Sequence, residues 1–370
     1  MKILMTADTV GGVWTYAMEL ARALQPRGVR IVLATMGGPL NAAQSAEVSR
    51  LPNVRVHPSS LRLEWMPDPW DDLDRAGEWL LELEDAERPD VVHLNGFAHG
   101  NLPWLAPVVV VGHSCVRSWW EAVRGGAVPA EWTTYSQRAR AGLAAADAVV
   151  APSHAMLGAL VRHYGPFAST HVIANGRDAR LFPPVPKESF IFAAGRVWDE
   201  AKNLAALDDV ASEVPWPVYI AGAATAPDGR ERPLANARTL GVLDRPTLSW
   251  WLGRAGIYAF PALYEPFGLS VLEAALAGCA LVLGDIPSLR EVWGDAATFV
   301  PPNDRVALVR ALRWLCDDAT LRAAQGARAR RRALLFDPDL MAERYFALYG
   351  SLGDQRQVSS WREESIACAS

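Results

Sequence analysis

Short apolar segments alternate with longer amphipathic segments along the whole chain of 370 residues. Strands that alternate in this way with helices are typical of a parallel sheet covered by helices on both faces. The pattern therefore predicts an α/β protein built from doubly wound sheets. The predicted strands are "KILMTA", "VRIVLAT", "DVVHLNG", "PVVVVGH", "AVVAPS" and "THVIAN" in the first half, and "SFIFAAG", "WPVYIAG", "GIYAFPA", "CALVLGD" and "ATFVPP" in the second.

A proline-rich segment, "DARLFPPVPKES", separates the two sets of strands and is interpreted as a hinge around residues 178–188. A chain of this length accommodates about two domains. We therefore predict one domain over residues 1–178 and another over residues 186–340. Because doubly wound folds bind ligands at the carboxyl ends of their strands, two such domains are expected to face each other across one ligand-binding cleft.

Composition limits the classes of partner. The formal net charge is −5, which argues against nucleic acid as a main partner. The chain lacks an apolar run long enough to span a membrane, and its start lacks the features of a signal peptide. The four cysteines are scattered, which favours a reducing, cytoplasmic location and gives no sign of a zinc site or a disulfide framework. A local peripheral contact with a membrane stays open.

A glycine turn follows the first predicted strand. In "MKILMTADTVGGVWTYAMELARAL" the strand runs through Gly11 and Gly12 into a helix, where backbone N–H groups could approach an anion. An ordinary strand-to-helix turn is an equally good interpretation. The G-x-G-x-x-G spacing is missing, which argues against a nicotinamide-dependent enzyme.

The second half opens with a comparable turn, "FIFAAGRVWDEAKN", in which Gly195 and Arg196 follow the strand and Lys202 begins the next helix. Arg196 offers a fork of donors and Lys202 a point charge, so together they could hold a diphosphate. The alternative is two solvated surface charges.

Two carboxylates flank an apolar helix in "PALYEPFGLSVLEAALAG". Glu265 precedes Pro266 and is placed in a first helical turn, and Glu273 lies among buried residues about two turns further on. Buried carboxylates need donors. Hydroxyl groups of an elongated polyol, such as a ribose and a sugar joined by a diphosphate, could supply them. Pairing with Arg290 or another arginine is an equally good alternative.

The ordered set of motifs resembles the retaining GT-B glycosyltransferases of family 4. "EPFGLSVLE" resembles the E-x7-E signature of that family, and the resemblance extends to about residue 345. It implies two Rossmann-like domains, with a last helix at about 340–360 that packs back on the first domain. The other matching segments are "GGVWTYAMELARAL", "DVVHLNG", "VVGHS", "ADAVVAPSHAM", "VIANGRDARLF", "GRVWDEAKN", "VYIAGA" and "LREVWGDAATFVPPND".

The resemblance implies roles for individual residues. Positions matching Arg196 and Lys202 hold the donor diphosphate, the position matching Glu273 binds ribose hydroxyls, and that matching Glu265 faces the transferred sugar. His113 matches an active-site residue that contacts the sugar or stabilises charge. His93 and Asn95, which end a predicted strand and could line the acceptor side, and Asp8, near the glycine turn, are weaker candidates. The predicted catalytic residues are His113, Glu265, Arg196 and Lys202, and the predicted donor-binding residues are Gly11, Gly12, Gly195, Arg196, Lys202, Gly241, Val242, Glu265, Phe267, Gly268, Leu269 and Glu273.

The resulting hypothesis is a hexosyltransferase that moves a sugar, with retention, from a nucleotide diphosphate sugar to an unknown acceptor. Uridine is the first choice of base, and the acceptor could be a saccharide, a lipid-linked sugar or a small molecule. We expect no metal or other cofactor, because the two D-x-D spellings, at Asp72–Asp74 and Asp337–Asp339, lie in peripheral helices or their caps. A nucleotide-sugar epimerase or hydrolase, a phosphorylase, and a non-catalytic nucleotide-sugar-binding partner remain alternatives.

Overall fold

A computed structural model describes residues 1–226 and 229–367 of the chain, with side chains through residue 354. Contacts divide the chain into two compact units. The first unit contains Met1–Ser118, Val128–Gly176 and the chain from Pro338 onward. The second contains Trp119–Ala127 and Arg177–Asp337.

The first unit is built on a parallel sheet whose seven described strands lie in the order β3-β2-β1-β4-β5-β6-β7. The central strands are apolar on both faces, as expected when helices cover a parallel sheet on both sides. Ile3 and Met5 of β1 pack into one core cluster and Leu4 into another. The strands are β1 (Lys2–Asp8), β2 (Arg30–Met36), β3 (Val54–Pro58), β4 (Val91–Leu94), β5 (Val108–Val111), β6 (Ala148–Ala151) and β7 (Thr170–Val172).

Helices complete both faces of this sheet. They are α1 (Gly12–Leu24), α2 (Ala42–Val48), α3 (Trp70–Glu87), α4 (Val116–Val123), α5 (Thr133–Ala145) and α6 (His154–Tyr164). The last helix of the chain, which we number α13 (Pro338–Ala367), packs against α1. Its side chains Met341, Tyr345 and Tyr349 share a core cluster with Tyr16 and Leu20 of α1.

The second unit is built on a parallel sheet of six described strands in the order β10-β9-β8-β11-β12-β13. The strands are β8 (Glu188–Ala194), β9 (Val218–Ala221), β10 (Arg238–Gly241), β11 (Ala255–Phe260), β12 (Ala280–Gly284) and β13 (Thr298–Val300). The helices are α7 (Leu204–Val210), α8 (Arg245–Arg254), α9 (Leu269–Leu276), α10 (Pro287–Trp293), α11 (Arg305–Asp317) and α12 (Ala319–Ala333). Helix α9 is enclosed, with Val271–Leu276 all buried, as the sequence predicts.

Strand order places a topological switch point in each sheet. In the first unit the chain order reverses between β1 and β4, and in the second between β8 and β11. Open α/β sheets bind ligands outside the carboxyl ends of the strands at such points. The residues that follow these four strands are therefore the natural place to look for a site.

Candidate functional site

In the second unit, several of the predicted residues lie at the switch point. Gly195 and Arg196 follow β8, and Glu265 lies five residues after its neighbour β11. The two strands are paired in parallel, so their carboxyl ends meet at the same edge of the sheet. The fold thus brings together segments that are about 70 residues apart in the sequence.

Arg196 is held by a carboxylate that the sequence did not single out. Its guanidinium donates to Asp199 Oδ2 at 2.7 Å, and Trp119 Nε1 donates to Asp199 Oδ1 at 3.2 Å. Burial acts to raise the pKa of Asp199, but the charges of Lys202 and Arg196 and the hydrogen bonds from Trp119 and Arg196 outweigh it, so the pKa lies below its usual value. Asp199 is therefore an ionised group that orients Arg196.

Lys202 and Glu265 form an ion pair across the switch point. Lys202 Nζ donates to Glu265 Oε2 at 2.8 Å, and Glu265 Oε1 accepts the backbone N–H of Gly268 at 3.1 Å. The prediction that Glu265 lies in a first helical turn is wrong, because Gly268 adopts a left-handed conformation and α9 begins only at Leu269. Phe267, in the same segment, is 2% exposed.

Glu273 has a protein partner. The Arg177 side chain donates to Glu273 Oε1 from Nε at 2.8 Å, and its second nitrogen lies 2.7 Å from the same oxygen. Both side chains are buried. Of the two interpretations of these carboxylates, donors from the protein are therefore found for both Glu265 and Glu273. Pairing with an arginine holds for Glu273, although not with Arg290, which binds Asp285.

The Arg177 contacts occupy only one side of the Glu273 carboxylate. Both go to Oε1, and within the described part of the chain no residue donates a hydrogen bond to Oε2. A carboxylate can accept about four hydrogen bonds. Glu273 therefore keeps one oxygen for another donor while Arg177 fixes its position.

The glycines at this edge differ in their steric demands. A Cβ built on Gly195 would have its nearest neighbours at 3.6 Å, an ordinary contact. A Cβ on Gly222, which follows β9 and has φ of 141°, would lie 1.7 Å from the carbonyl oxygen of Gly195. Gly241 ends β10 and binds Gly222 through its carbonyl oxygen, and Val242 beside it is 77% exposed. Packing thus demands glycine at position 222 but leaves room at Gly195.

In the first unit, the glycine turn lies at the other switch point. Gly11 has φ of 83° and precedes α1, whose first residue is Gly12, and both are exposed. Within the described residues no side chain caps the start of α1. The first N–H groups of this 13-residue helix are therefore not covered by a capping side chain. Asp8, at the end of β1, is half-buried.

His113 follows β5 and is oriented by Asn95, which follows β4. Asn95 Nδ2 donates to the carbonyl of Thr6 at 2.6 Å, so Asn95 Oδ1 is the acceptor for His113 Nε2 at 2.8 Å. This assigns the proton of His113 to Nε2. Burial, together with the charge of neighbouring His93, lowers the pKa of His113 to about 3, so the ring is neutral at pH 7.

His93 lies behind this pair. Its Nδ1 is 2.6 Å from the Tyr349 hydroxyl, and its Nε2 is 3.3 Å from both Tyr16 Oη and Asn95 Oδ1. Burial lowers the pKa of His93 to about 4. The expectation that His93 lines an acceptor surface is wrong, because the residue is fully buried. Instead, it supports Asn95 from the interior and links it to α13.

Comparisons of the sequence with known proteins identify the family to which the chain belongs. Residues 10–181 match the family model described as Glycosyltransferase Family 4, and residues 216–332 match Glycosyl transferases group 1. A D-inositol 3-phosphate glycosyltransferase of Xylanimonas cellulosilytica is 30% identical over 380 aligned positions, covering 88% of this chain and 89% of that protein. The chain belongs to glycosyltransferase family 4. It is a glycosyltransferase, as the sequence predicts.

Solved structures confirm the predicted GT-B fold of this family 4 glycosyltransferase. Sucrose-phosphate synthase from Thermosynechococcus elongatus superposes with a TM-score of 0.78 at 20% identity, over 95% of this chain and 99% of that one. An Anabaena protein solved in complex with UDP gives a TM-score of 0.73 at 16% identity, over 95% and 100%. Within the described residues, none of the helices combines the length and the apolar character needed to cross a membrane.

Sequence reasoning found most of the residues at the switch points but missed several of their partners. Asp199 could have been noticed, because it lies three residues from both Arg196 and Lys202 in "RVWDEAK". The sequence around Arg177 does not indicate its pairing, since its partner Glu273 is 96 residues away. A further acid, the half-buried Glu64, lies in the loop between β3 and α3 and is part of no recognisable motif.

Proposed function

We propose that this family 4 glycosyltransferase transfers a hexose from a nucleotide diphosphate sugar, with UDP-sugars as the first choice, to an acceptor hydroxyl, with retention and without a metal ion. One observation carries the proposal. Arg196 and Lys202 flank the carboxyl end of β8 beside Gly195, where packing leaves room for a ligand to approach. Similar folds solved in complex with UDP and with UDP-glucose support this choice of donor.

The charges at this edge suggest how a donor would be held. In the protein alone, Arg196 is balanced by Asp199 and Lys202 by Glu265. These ion pairs keep both cations in position. A diphosphate would compete with the carboxylates for the same N–H groups, and Lys202 would then move from Glu265 to a phosphate oxygen. Cations placed where charge develops on the leaving group are a large source of catalysis in group transfer.

The carboxylates would then bind hydroxyl groups. Once Lys202 binds phosphate, Glu265 Oε2 is released to accept from the transferred sugar, while Gly268 still holds Oε1. Glu273 Oε2 would accept from the ribose while Arg177 holds the opposite oxygen. Each carboxylate thus keeps one fixed oxygen and offers the other to the donor.

The chemical step needs no protein nucleophile in this proposal. The acceptor oxygen forms a bond to the anomeric carbon on the face from which the diphosphate leaves, and the bond from that carbon to the phosphate oxygen breaks. The acceptor proton passes to the departing phosphate oxygen. His113, neutral and with Nε2–H bound to Asn95, would present the Nδ1 lone pair to a sugar hydroxyl.

A ligand screen tests the donor site. Thermal unfolding is measured with UDP, GDP and ADP and with their glucose conjugates. A ligand at 100 times its dissociation constant stabilises the folded protein by about 2.7 kcal/mol. We expect UDP and UDP-glucose to raise the unfolding temperature and Lys202→Ala to lose most of that shift.

Lys2→Ala is the matched control, because Lys2 also forms an ion pair, with Glu87, but lies in the first unit. An unchanged UDP shift in the Lys202 variant would remove the diphosphate clamp from the proposal. Transfer is then separated from hydrolysis by following UDP release from UDP-glucose with and without D-inositol 3-phosphate, the compound in the name of a relative. Release that does not depend on any acceptor would favour a hydrolase.

A further inference from the structure

Glu64 lies at the carboxyl end of β4, beside the residues that orient His113. Its Oε2 accepts the backbone N–H groups of Phe97 at 2.9 Å and Ala98 at 2.8 Å. A Cβ built on Gly96 would lie 3.5 Å from the same oxygen. The Glu64 carboxylate is therefore held against the segment that directly follows Asn95.

Only half of this carboxylate is used. Both backbone N–H groups bind Oε2, and among residues 1–226 and 229–354 none donates a hydrogen bond to Oε1 or forms an ion pair with Glu64. A carboxylate offers about four acceptor positions. Glu64 is half-buried, and its Oε1 is not among the buried side-chain atoms of the described residues that lack a hydrogen-bond partner, so this oxygen can be reached from outside. Oε1 of Glu64 is therefore the atom to which a ligand could donate.

Glu84 shows what a purely structural carboxylate looks like in the same unit. Like Glu64 it is bound by consecutive backbone N–H groups, those of Leu105 and Ala106, but Glu84 is buried whereas Glu64 is half-buried. In Glu84, however, both oxygens are engaged, Oε1 by Leu105 and Ala106 and Oε2 by Leu105. Glu64, in contrast, accepts both backbone N–H groups with Oε2 and has Oε1 available for another donor.

The surroundings of Glu64 shift its pKa in opposite directions. Burial raises the pKa of Glu64 to about 7, against the lowering effect of the hydrogen bonds from Ala98 and Phe97. Tyr135 of α5 and Tyr164 of α6 lie close enough for the negative charge of Glu64 to help raise their pKa values.

The other titratable groups around these phenols are Cys115 and Arg117. Burial raises the pKa of the Cys115 thiol, and the Arg117 guanidinium acts on Tyr164 in the direction of a lower pKa. The phenols and the thiol are neutral at pH 7, because burial holds the pKa of each above its usual value. They therefore supply no charge that would compensate an ionised Glu64.

We propose that Glu64 is an acceptor-binding residue whose Oε1 accepts a hydrogen bond from a hydroxyl group of the acceptor. The inference rests on the proposed transfer reaction and adds a substrate class to it. The attacking hydroxyl passes its proton to the leaving phosphate, so the hydroxyl bound by Glu64 is a second one. The acceptor is then a polyol with at least two hydroxyl groups.

This assignment makes acceptor binding dependent on pH. A hydroxyl donor stabilises the ionised form of Glu64, so the acceptor binds best above the pKa of the free carboxyl. For one proton with a pKa of about 7, the acceptor KM should rise about fivefold between pH 7 and pH 6. UDP, which binds the second unit, should not follow this dependence.

The test compares Glu64→Gln with Glu84→Gln in the full chain. In the Glu64→Gln variant the amide oxygen stays with the two backbone N–H groups and the NH2 group replaces the free oxygen, so an acceptor of hydrogen bonds becomes a donor. Thermal shift at pH 8 is recorded for myo-inositol, D-inositol 3-phosphate and D-glucose, each with and without UDP. We expect at least one polyol to stabilise the wild type and the Glu84 variant, and Glu64→Gln to weaken that binding about tenfold or more while the UDP shift is kept.

Several outcomes would overturn the assignment: no polyol stabilises the wild type, the two variants behave alike, or acceptor binding does not change between pH 8 and pH 6. If Glu64→Gln does not fold, Glu64→Asp keeps the charge on a shorter side chain and should weaken acceptor binding but retain its pH dependence. Failure of UDP to stabilise the wild type contradicts the donor proposal alone, since binding of a polyol that depends on Glu64 can be measured without UDP.

Discussion

At the scale of single residues, the second unit shows how a carboxylate is accommodated inside an apolar helix. Glu273 lies among buried neighbours on α9, where an unpaired charge would be costly. Arg177 supplies two donors, and its guanidinium lies 5.2 Å from the centre of the Phe182 ring. The arginine therefore acts as a fixed internal counter-charge.

Removing that counter-charge should lower the free energy of unfolding substantially. Arg177→Met leaves Glu273 buried and unpaired, and breaking a buried pair in this way costs about 3–5 kcal/mol. Urea unfolding measures the loss. Arg180→Met is the matched control, because Arg180 also pairs with an acid, Asp178, but its side chain is 88% exposed; we expect it to change stability by less than about 0.5 kcal/mol. Equal effects of the two substitutions would show that the Arg177 pair is not a buried one in solution.

The sequence could place single residues only in part. Arg196 and Glu265 are predictable at strand ends, because apolar runs followed by glycine or proline mark such positions well, and Lys202 is predicted at the start of the next helix. The partners of these residues were not predictable. Whether Lys202 meets Glu265 or solvent depends on which strands are neighbours, and strand order is set by packing of the whole sheet.

At the scale of secondary-structure elements, all eleven predicted strands are present, and the described residues form two further strands. The sequence missed β3 and β10, and each lies at an edge of its sheet. Other elements cover an edge strand less than a central one, and the residues of β3 and β10 are mostly half-buried or exposed. Without burial on both faces they carry no continuous apolar run, so the signal that revealed the central strands is missing.

Gly195, after β8, and Gly222, after β9, should respond differently to substitution, because only a side chain at Gly222 would point into the neighbouring loop. Gly222→Ala places a Cβ 1.7 Å from the Gly195 carbonyl oxygen, at a φ of 141°, and should destabilise the protein by about 4 kcal/mol or more. Gly195→Ala meets only ordinary contacts and should fold normally.

Gly195→Ala should nevertheless weaken UDP binding about tenfold, because the added methyl group occupies the space beside Arg196 that the proposal assigns to phosphate. Urea unfolding and UDP titration of the two variants check both expectations. Normal UDP affinity in a folded Gly195 variant would mean that the donor does not approach this part of the backbone.

At the scale of the whole molecule, titratable groups of the first unit act on stability in opposite directions. The pKa of His93 is lowered to about 4, so its contribution to stability is complete above pH 6.5 and is lost as the pH falls towards 4. His113, with a pKa lowered to about 3, acts in the same direction. The pKa of Glu64 is raised to about 7, so its contribution is complete below about pH 4.5 and is lost as the pH rises through 7.

The two effects partly cancel between pH 4.5 and 6.5. Replacing Glu64 by Gln removes one of them and leaves that of the histidines. We therefore expect the free energy of unfolding of Glu64→Gln to rise more steeply with pH in this window than that of the wild type. Urea unfolding at intervals of half a pH unit gives both curves, and parallel curves would contradict the raised pKa of Glu64.

The packing of α13 on α1 also determines when this protein can finish folding during synthesis. The second unit is nearly continuous in the chain, so all its strands are available once the ribosome has translated Asp337. The core of the first unit, however, includes Met341, Tyr345 and Tyr349. At the ~5–20 residues per second of synthesis, the earliest-made helix waits many seconds for its partner, and nascent chains exposing α1 are natural clients for chaperones.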